Sequence, residues 1–237
     1  MTTEVFWDDI YQKNLTRFPE INDPVLSASL EHFGTIKGAR LLDIGCGNGS
    51  SSLFFARQGA HVTAIDISQV AIDGLSQFCR EHNITNIKAI KCSAFEIAKL
   101  GEFDFIFGNM ILHHLEPFAV FSDILRASLT QQGKAFFHEN NAFSKILVWC
   151  RNNLVGKYGI PKYGDDDEFP LLPQEIALLR DNFSVNIVYP ELLLLRLLST
   201  YLLQGKLERT MKKIDERLSS FAKLRQYSYR QQLLIER

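Results

Sequence analysis

Two histidines, His113 and His114, stand side by side just past the apolar run Phe103-Asp104-Phe105-Ile106-Phe107-Gly108-Asn109. Imidazoles titrate near neutral pH, so such a pair can take a proton from an oxygen or a nitrogen. Glu139, near the end of the later run Lys134-Ala135-Phe136-Phe137-His138-Glu139-Asn140, is a further candidate for that work. A second kind of chemistry is carried by Asp43-x-Gly45-x-Gly47-x-Gly49, which follows apolar Leu41-Leu42 and leads into Ser50-Ser51-Ser52-Leu53. Glycines let a backbone pass close to a ligand where a Cβ would collide. A strand running through glycines into a helix N-terminus makes a nucleotide-sized site at the carboxyl edge of an open sheet. Asp66 ends the next apolar run, 21 residues beyond Gly45, where an acid in a βαβ unit meets the hydroxyls of a ribose.

The spacing narrows the ligand. A dinucleotide fingerprint would need glycine at 50, where Ser50 stands, and no lysine follows to make a Walker loop. With its leading acid, Asp43-x-Gly45-x-Gly47-x-Gly49 resembles motif I of the class I S-adenosylmethionine (SAM)-dependent methyltransferases. An acid such as Asp43 suits a ligand that carries an α-ammonium and a sulfonium but no phosphate. Asp66-Ile67 matches motif II, whose acid takes the two ribose hydroxyls. The string from Phe103 through Asn109 and Met110 to His114-Leu115 resembles motif IV of the small-molecule branch.

The resemblance implies SAM as cofactor and S-adenosylhomocysteine (SAH) as product; no carboxylate cluster is spaced for a metal, so none is expected. It places Gly45, Cys46, Gly47 and Gly49 against the cofactor, with Asn109 and Met110 beside its methionine half. The family usually sets an acid just past the third strand to meet the adenine amine. Here Cys92-Ser93-Ala94-Phe95 occupies that place, leaving the contact to Ser93 or the backbone, with Phe95 packed on the ring. One histidine should face the reacting methyl group. His114 is the expected base, with His113 and Glu139 as alternates. Trp7 and Tyr11, four apart, share one helical face. In many small-molecule members a similar aromatic N-terminal helix folds over the cofactor; an ordinary packing helix is the other reading.

These residues must be positioned by an α/β framework. The chain has 237 residues and 46% apolar content, enough for a single domain over 1–237 with a large core. Lys plus Arg number 26 against 27 acids, a balance that names no nucleic-acid partner, and no N-P-P-Y-type motif is present. Four cysteines without paired spacing and an N-terminus without an apolar run suggest a reducing, cytoplasmic setting. The longest apolar run, 192–203, is interrupted by Arg196 and is shorter than the roughly 20 residues a bilayer requires.

The resemblance implies a Rossmann-like seven-stranded sheet in the order 3-2-1-4-5-7-6, its last strand antiparallel, with helices on both faces. The pattern predicts helices over 4–18, 24–33, 69–82, 117–129 and 173–180, with Gln131-Gln132-Gly133 closing the fourth. Residues 1–35 would form a helical cover and 141–170 a loop-rich cap offering Trp149, Tyr158 and Tyr163 to a substrate. The acidic run Asp165-Asp166-Asp167-Glu168 reads as a solvated turn. About 35 residues separate the sixth strand from the seventh, and 190–225 reads as an insert of two helices. The second carries a stripe of Leu207, Met211, Ile214, Leu218 and Phe221, and 206–225 holds seven basic and three acidic residues. That composition suits a wall packed on the sheet, a homodimer contact or a peripheral membrane contact. The expected activity is methyl transfer to O, N or C of a small, hydrophobic molecule. A catalytically silent binding or regulatory protein on the same fold is the alternative.

Overall fold

Residues 3–20, 22–157 and 169–237 are described in the computed structural model. Seven strands, β1 (Arg40–Ile44), β2 (His61–Asp66), β3 (Ile87–Lys91), β4 (Phe103–Asn109), β5 (Leu129–Asn140), β6 (Ser184–Val188) and β7 (Arg230–Glu236), form one sheet. Its order is β3-β2-β1-β4-β5-β7-β6, parallel except for β7, which runs antiparallel to both β5 and β6. The sorting of strands follows their residues. Arg40-Leu41-Leu42-Asp43-Ile44 is buried at every position after its first, as a central strand covered on both faces must be. Ser184-Val185-Asn186-Ile187-Val188 alternates between exposed and half-buried positions and sits at the edge.

Two cores separate the sheet from its helices. On one face α2 (Pro24–Phe33), α3 (Ser50–Arg57) and α4 (Gln69–Glu81) cover Phe107 and Phe136, whose rings stack 6.0 Å apart. On the other, α5 (Phe118–Ser128) and α7 (Pro173–Asn182) cover Ile106, Phe137 and Leu233. Phe107 and Phe136 are 1% and 0% exposed; each ring contributes about 1.5–3 kcal/mol through burial. The helix starts follow local chemistry: Asp23 accepts from the amides of Val25 and Leu26 ahead of Pro24, and Ser68 accepts from Ala71. The register sets Ile44 beside Ile65 on one side and Gly108 on the other. The carboxyl ends of β1, β2 and β4 therefore meet along one edge.

Several expectations need correction. The first helix, α1 (Thr3–Lys13), is shorter than 4–18, and α7 runs past Arg180 to Asn182. Gln131-Gln132-Gly133 does not close α5. β5 already begins at Leu129, paired with Phe103, and the ladder shifts register between Phe103 and Phe105. Part of the expected loop after Asn141 is helical, α6 (Lys145–Leu154), and Trp149 stands on it 56% exposed, away from both cavities described below. Tyr158, Tyr163 and the acidic run 165–168 lie outside the described residues. The insert holds three helices rather than two: α8 (Leu195–Leu203), α9 (Glu208–Leu218) and α10 (Ala222–Arg225). Its leucines pack on Leu147 and Tyr229 rather than across the sheet, and buried Asp215 accepts from the amides of Leu195 and Arg196 to start α8.

Candidate active site

Two cavities open at the carboxyl edge of the sheet. The first, 360 Å³, lies between α1 and the ends of β1, β2 and β4. Trp7, Tyr11, Gly45, Asp66, Ile67, Ser93, Ala94, Phe95, Asn109, Met110 and His114 of the expected site all line it, together with Cys92, Ile111 and Leu115. The second, 310 Å³, takes in Cys46 and Gly47 along with Asn14, Asp23 and Asn48. Tyr11, Gly45 and Asn109 line both, so the two are halves of one groove divided by the Tyr11 ring.

The glycine loop is shaped by what approaches it. Gly45 and Gly47 have φ of 67° and 50°, in the left-handed region. A Cβ on Gly47 would stand 2.7 Å from the Tyr11 hydroxyl, and one on Gly45 2.9 Å from Ile111. Gly49 serves otherwise. A Cβ there would strike Leu75 at 2.4 Å, so it secures packing of α3 against α4 and lines neither cavity.

Asp66 joins the two motifs. One carboxylate oxygen accepts from the Gly47 amide at 2.9 Å and the other from the Ser68 amide at 2.9 Å. Burial raises its pKa, against the pull of those amides. Only 6% exposed, it still lines the first cavity, and as a carboxylate it keeps acceptor capacity for a hydroxyl. Asp43 behaves differently. It points away from both cavities and accepts from the hydroxyls of Ser51 and Ser52 at 2.7 and 2.5 Å, tying β1 to the start of α3. Burial pushes its carboxyl up to about 6, offset in part by those two serines.

The histidine pair splits in the same way. Glu139 is fully buried; its Oε1 accepts from the amides of Ile111 and Leu112, both at 2.7 Å, and its Oε2 lies 2.7 Å from His113 Nδ1. All of that holds one turn, the 3-10 segment Leu112–His114, against the end of β5. The His113 side chain is 2% exposed and lines neither cavity. His114 does line the first, with the Trp7 ring edge-on at 6.0 Å. Met110 enters the turn at φ 57°, a strained conformation for a side chain of its size.

Sequence reasoning missed Asp8, whose Oδ1 accepts from the Ser68 hydroxyl at 2.5 Å and the Val70 amide at 3.3 Å. It docks α1 onto the N-terminus of α4, and nothing local in the sequence signals a contact 60 residues away. Asp23 was legible as a helix cap, but not as a wall of the second cavity.

A nucleoside carrying a sulfonium-linked amino acid fits this groove on the chain's own geometry. Gly45 lines both cavities and Gly47 the second, Asp66 offers acceptors to a diol, and Ile67, Phe95 and Ala94 present apolar surface to a base.

Comparison with known proteins points the same way. Residues 41–133 match a family described as methyltransferase domain. A ubiquinone biosynthesis O-methyltransferase of Rickettsia bellii is 26% identical over 159 residues, 66% of this chain and 65% of the relative. That of Coxiella burnetii is 31% identical over 129 residues, 54% of each chain. The chain thus spans about two thirds of the first relative's length and about half of the second's. Among solved structures, magnesium protoporphyrin IX methyltransferase of Synechocystis PCC 6803, with SAH bound, superposes with a TM-score of 0.59 at 16% identity. That match covers 100% of this chain and 88% of the other, and shows a shared fold. Residues 41–133 thus resemble a methyltransferase domain, and the seven-stranded sheet shares its fold with solved SAM-dependent methyltransferases.

Proposed function

We propose that this protein transfers a methyl group from SAM to an oxygen, nitrogen or carbon of a small, hydrophobic acceptor, releasing SAH. The observation that carries the reading is the first cavity: Asp66, Phe95, Asn109, Met110 and His114 converge on it from three stretches of the chain. The relatives named as O-methyltransferases make oxygen the favoured acceptor atom.

The cofactor supplies a methyl carbon already activated by the sulfonium. The chain has three tasks left: to hold the acceptor in line, to keep water out and to remove a proton where the acceptor carries one. Trp7 and Tyr11 close the groove from α1. His114 is the base, because its residue lines the cavity while His113 is enclosed. Glu139 acts through the backbone: by binding two amides and His113 it fixes the turn that presents His114. It is a positioning residue rather than an alternate base. Asp43 likewise supports the glycine loop from behind.

The same reading treats 1–237 as one catalytic unit, with 1–35 as cover and 190–225 as an outer wall beyond α6. In that wall Leu202, Leu203, Leu207 and Phe221 are 43–61% exposed beside the basic residues of α9. Such a rim suits an anionic lipid surface, and a second copy of the chain is the competing occupant. Among the described residues no helix is long and apolar enough to cross a membrane.

Isothermal calorimetry with SAM and SAH tests the central reading. Micromolar binding of both is expected on the scale of typical cofactor sites, about −8 kcal/mol. Absence of binding for either ligand, even at millimolar concentration, would sink it.

A further inference from the structure

The carboxyl ends of β5 and β7 carry a polar cluster that the cofactor groove does not explain. The registers place Asn109 beside His138, His138 opposite Gln232, and Asn140 opposite Arg230, so these five side chains rise from one face of the sheet. Further down the same face the residues are Phe107 and Phe136. His138, Asn140 and Gln232 are all less than 10% exposed. Burying such groups is costly unless they are hydrogen-bonded, yet Nδ1 of His138 has no partner among the described residues.

Arg230 sits at the centre. One of its terminal nitrogens donates to Asn140 Oδ1 at 2.6 Å and meets the Met110 sulfur at 3.0 Å. Met110 in turn lines the first cavity next to His114. Among the described residues Arg230 makes no ion pair, and the carboxylates of this quarter are engaged elsewhere. Glu139 points to the opposite face and holds His113 and two amides; Asp23 caps α2. Burial, with the guanidinium adding to it, depresses the pKa of His138, so that ring brings no second charge to Arg230 at neutral pH. The other cation of this quarter, Arg151, donates to the Tyr229 hydroxyl at 3.1 Å. Tyr229 and Tyr201 stand on the insert side; burial pushes the Tyr201 hydroxyl up to about 12, keeping it a neutral donor. A guanidinium that makes no ion pair among the described residues, with the neutral Tyr201 hydroxyl near it, matches the fork of a planar oxyanion.

We propose that Arg230 is a specificity-determining residue that receives an oxyanion, carboxylate or phosphate, on the methyl acceptor. This rests on the methyltransferase reading and gives its acceptor a chemical class: an apolar body bearing one anionic group. Arg230 would anchor that group beyond Met110, leaving the nucleophilic atom on the His114 side of the same residue.

The test uses the full chain and matched probes: benzoate against benzamide for a carboxylate, and phenyl phosphate against phenol for a phosphate. Calorimetry is run with and without saturating SAH. Wild type should bind at least one anion about tenfold tighter than its neutral partner, the scale of a charge-assisted hydrogen bond. Arg230→Gln should erase that preference while SAH affinity stays within about twofold, and Arg230→Lys should keep part of it. The arm that discriminates, benzoate or phenyl phosphate, identifies the oxyanion. Equal binding of anion and neutral partner in both pairs would overturn the proposal. So would a fall in SAH affinity in Arg230→Gln, which would assign the guanidinium to the cofactor's own carboxylate. Anion preference without any SAH binding would strike the methyltransferase reading instead and leave the oxyanion site standing. Thermal melts of both variants check folding, and Arg230→Lys decides the matter if Arg230→Gln unfolds.

Discussion

The carboxylate of Asp66 accepts a hydrogen bond from the Gly47 amide at 2.9 Å, so the acid at the end of β2 holds the glycine turn after β1 in shape. The two motifs are one device. An acid that both shapes the loop and faces the cavity couples the groove's geometry to its ligand. Asp66→Ala should therefore weaken SAH binding by about 1–3 kcal/mol, the cost of losing a buried hydrogen-bonded acceptor. Calorimetry measures it, and unchanged affinity would place the diol elsewhere.

His114 and Glu139 should separate kinetically. Removing a general base slows turnover by a factor of about 10²–10⁴ with little change in cofactor affinity, and His114→Ala is expected to fall in that range. Glu139→Gln keeps the size of the side chain but gives up the charge that holds two amides and His113. Its turnover should drop while its melting temperature falls too, because a buried network loses part of its satisfaction. If His114→Ala retains full activity across the pH range, catalysis is by proximity alone.

Asp43 makes a pH prediction. Its carboxyl is raised from 3.8 to about 6, so between those values the folded chain holds a proton that the unfolded chain has released. Its contribution to stability therefore declines as pH rises through that window and is fully lost above it. Asp43→Asn removes the titration. Relative to wild type, the variant should gain about 2–3 kcal/mol between pH 4 and pH 7, since each tenfold change in proton affinity is worth about 1.4 kcal/mol. Urea melts of both proteins across that range supply the difference, and a gap that does not vary with pH would contradict the assignment.

The exposed rim of the insert is tested by flotation. Wild type should rise with vesicles containing anionic lipid and not with neutral ones, and Lys212→Glu with Lys213→Glu should abolish it. Each surface cation contributes about 1 kcal/mol near an anionic membrane. Absence of flotation, with a dimer in sedimentation, would give the rim to a second subunit.

How much of this could be read beforehand follows from the range of each interaction. The glycine loop, the strand-ending acids and the cap at Asp23 are local patterns, and each stands where its spacing put it. The strand order came with the family resemblance rather than from the residues. Direction was harder. In β1, covered on both sides, period-two alternation cannot say that Asp43 turns away from both cavities toward Ser51 and Ser52. Glu139 shares that difficulty, since β5 is buried along its carboxyl half. Asp215 caps a helix that begins 20 residues earlier, and Arg230 reaches Met110 across 120. No window of sequence contains both partners of such contacts. α6 escaped notice because only Leu147 and Cys150 of its ten residues are buried, too few to mark a period.

One consequence of α1 is temporal. The helix has no fully buried residue; it is tethered by Asp8 to Ser68 and Val70, by Glu4 to Lys91 and by the Trp7 ring against His114. Yet its Trp7 and Tyr11 form a wall of the groove. An element so lightly held opens at far less cost than the sheet beneath it. On the methyltransferase reading, cofactor arrival and product departure would both pass α1, and the rate of its opening would then bound the turnover number.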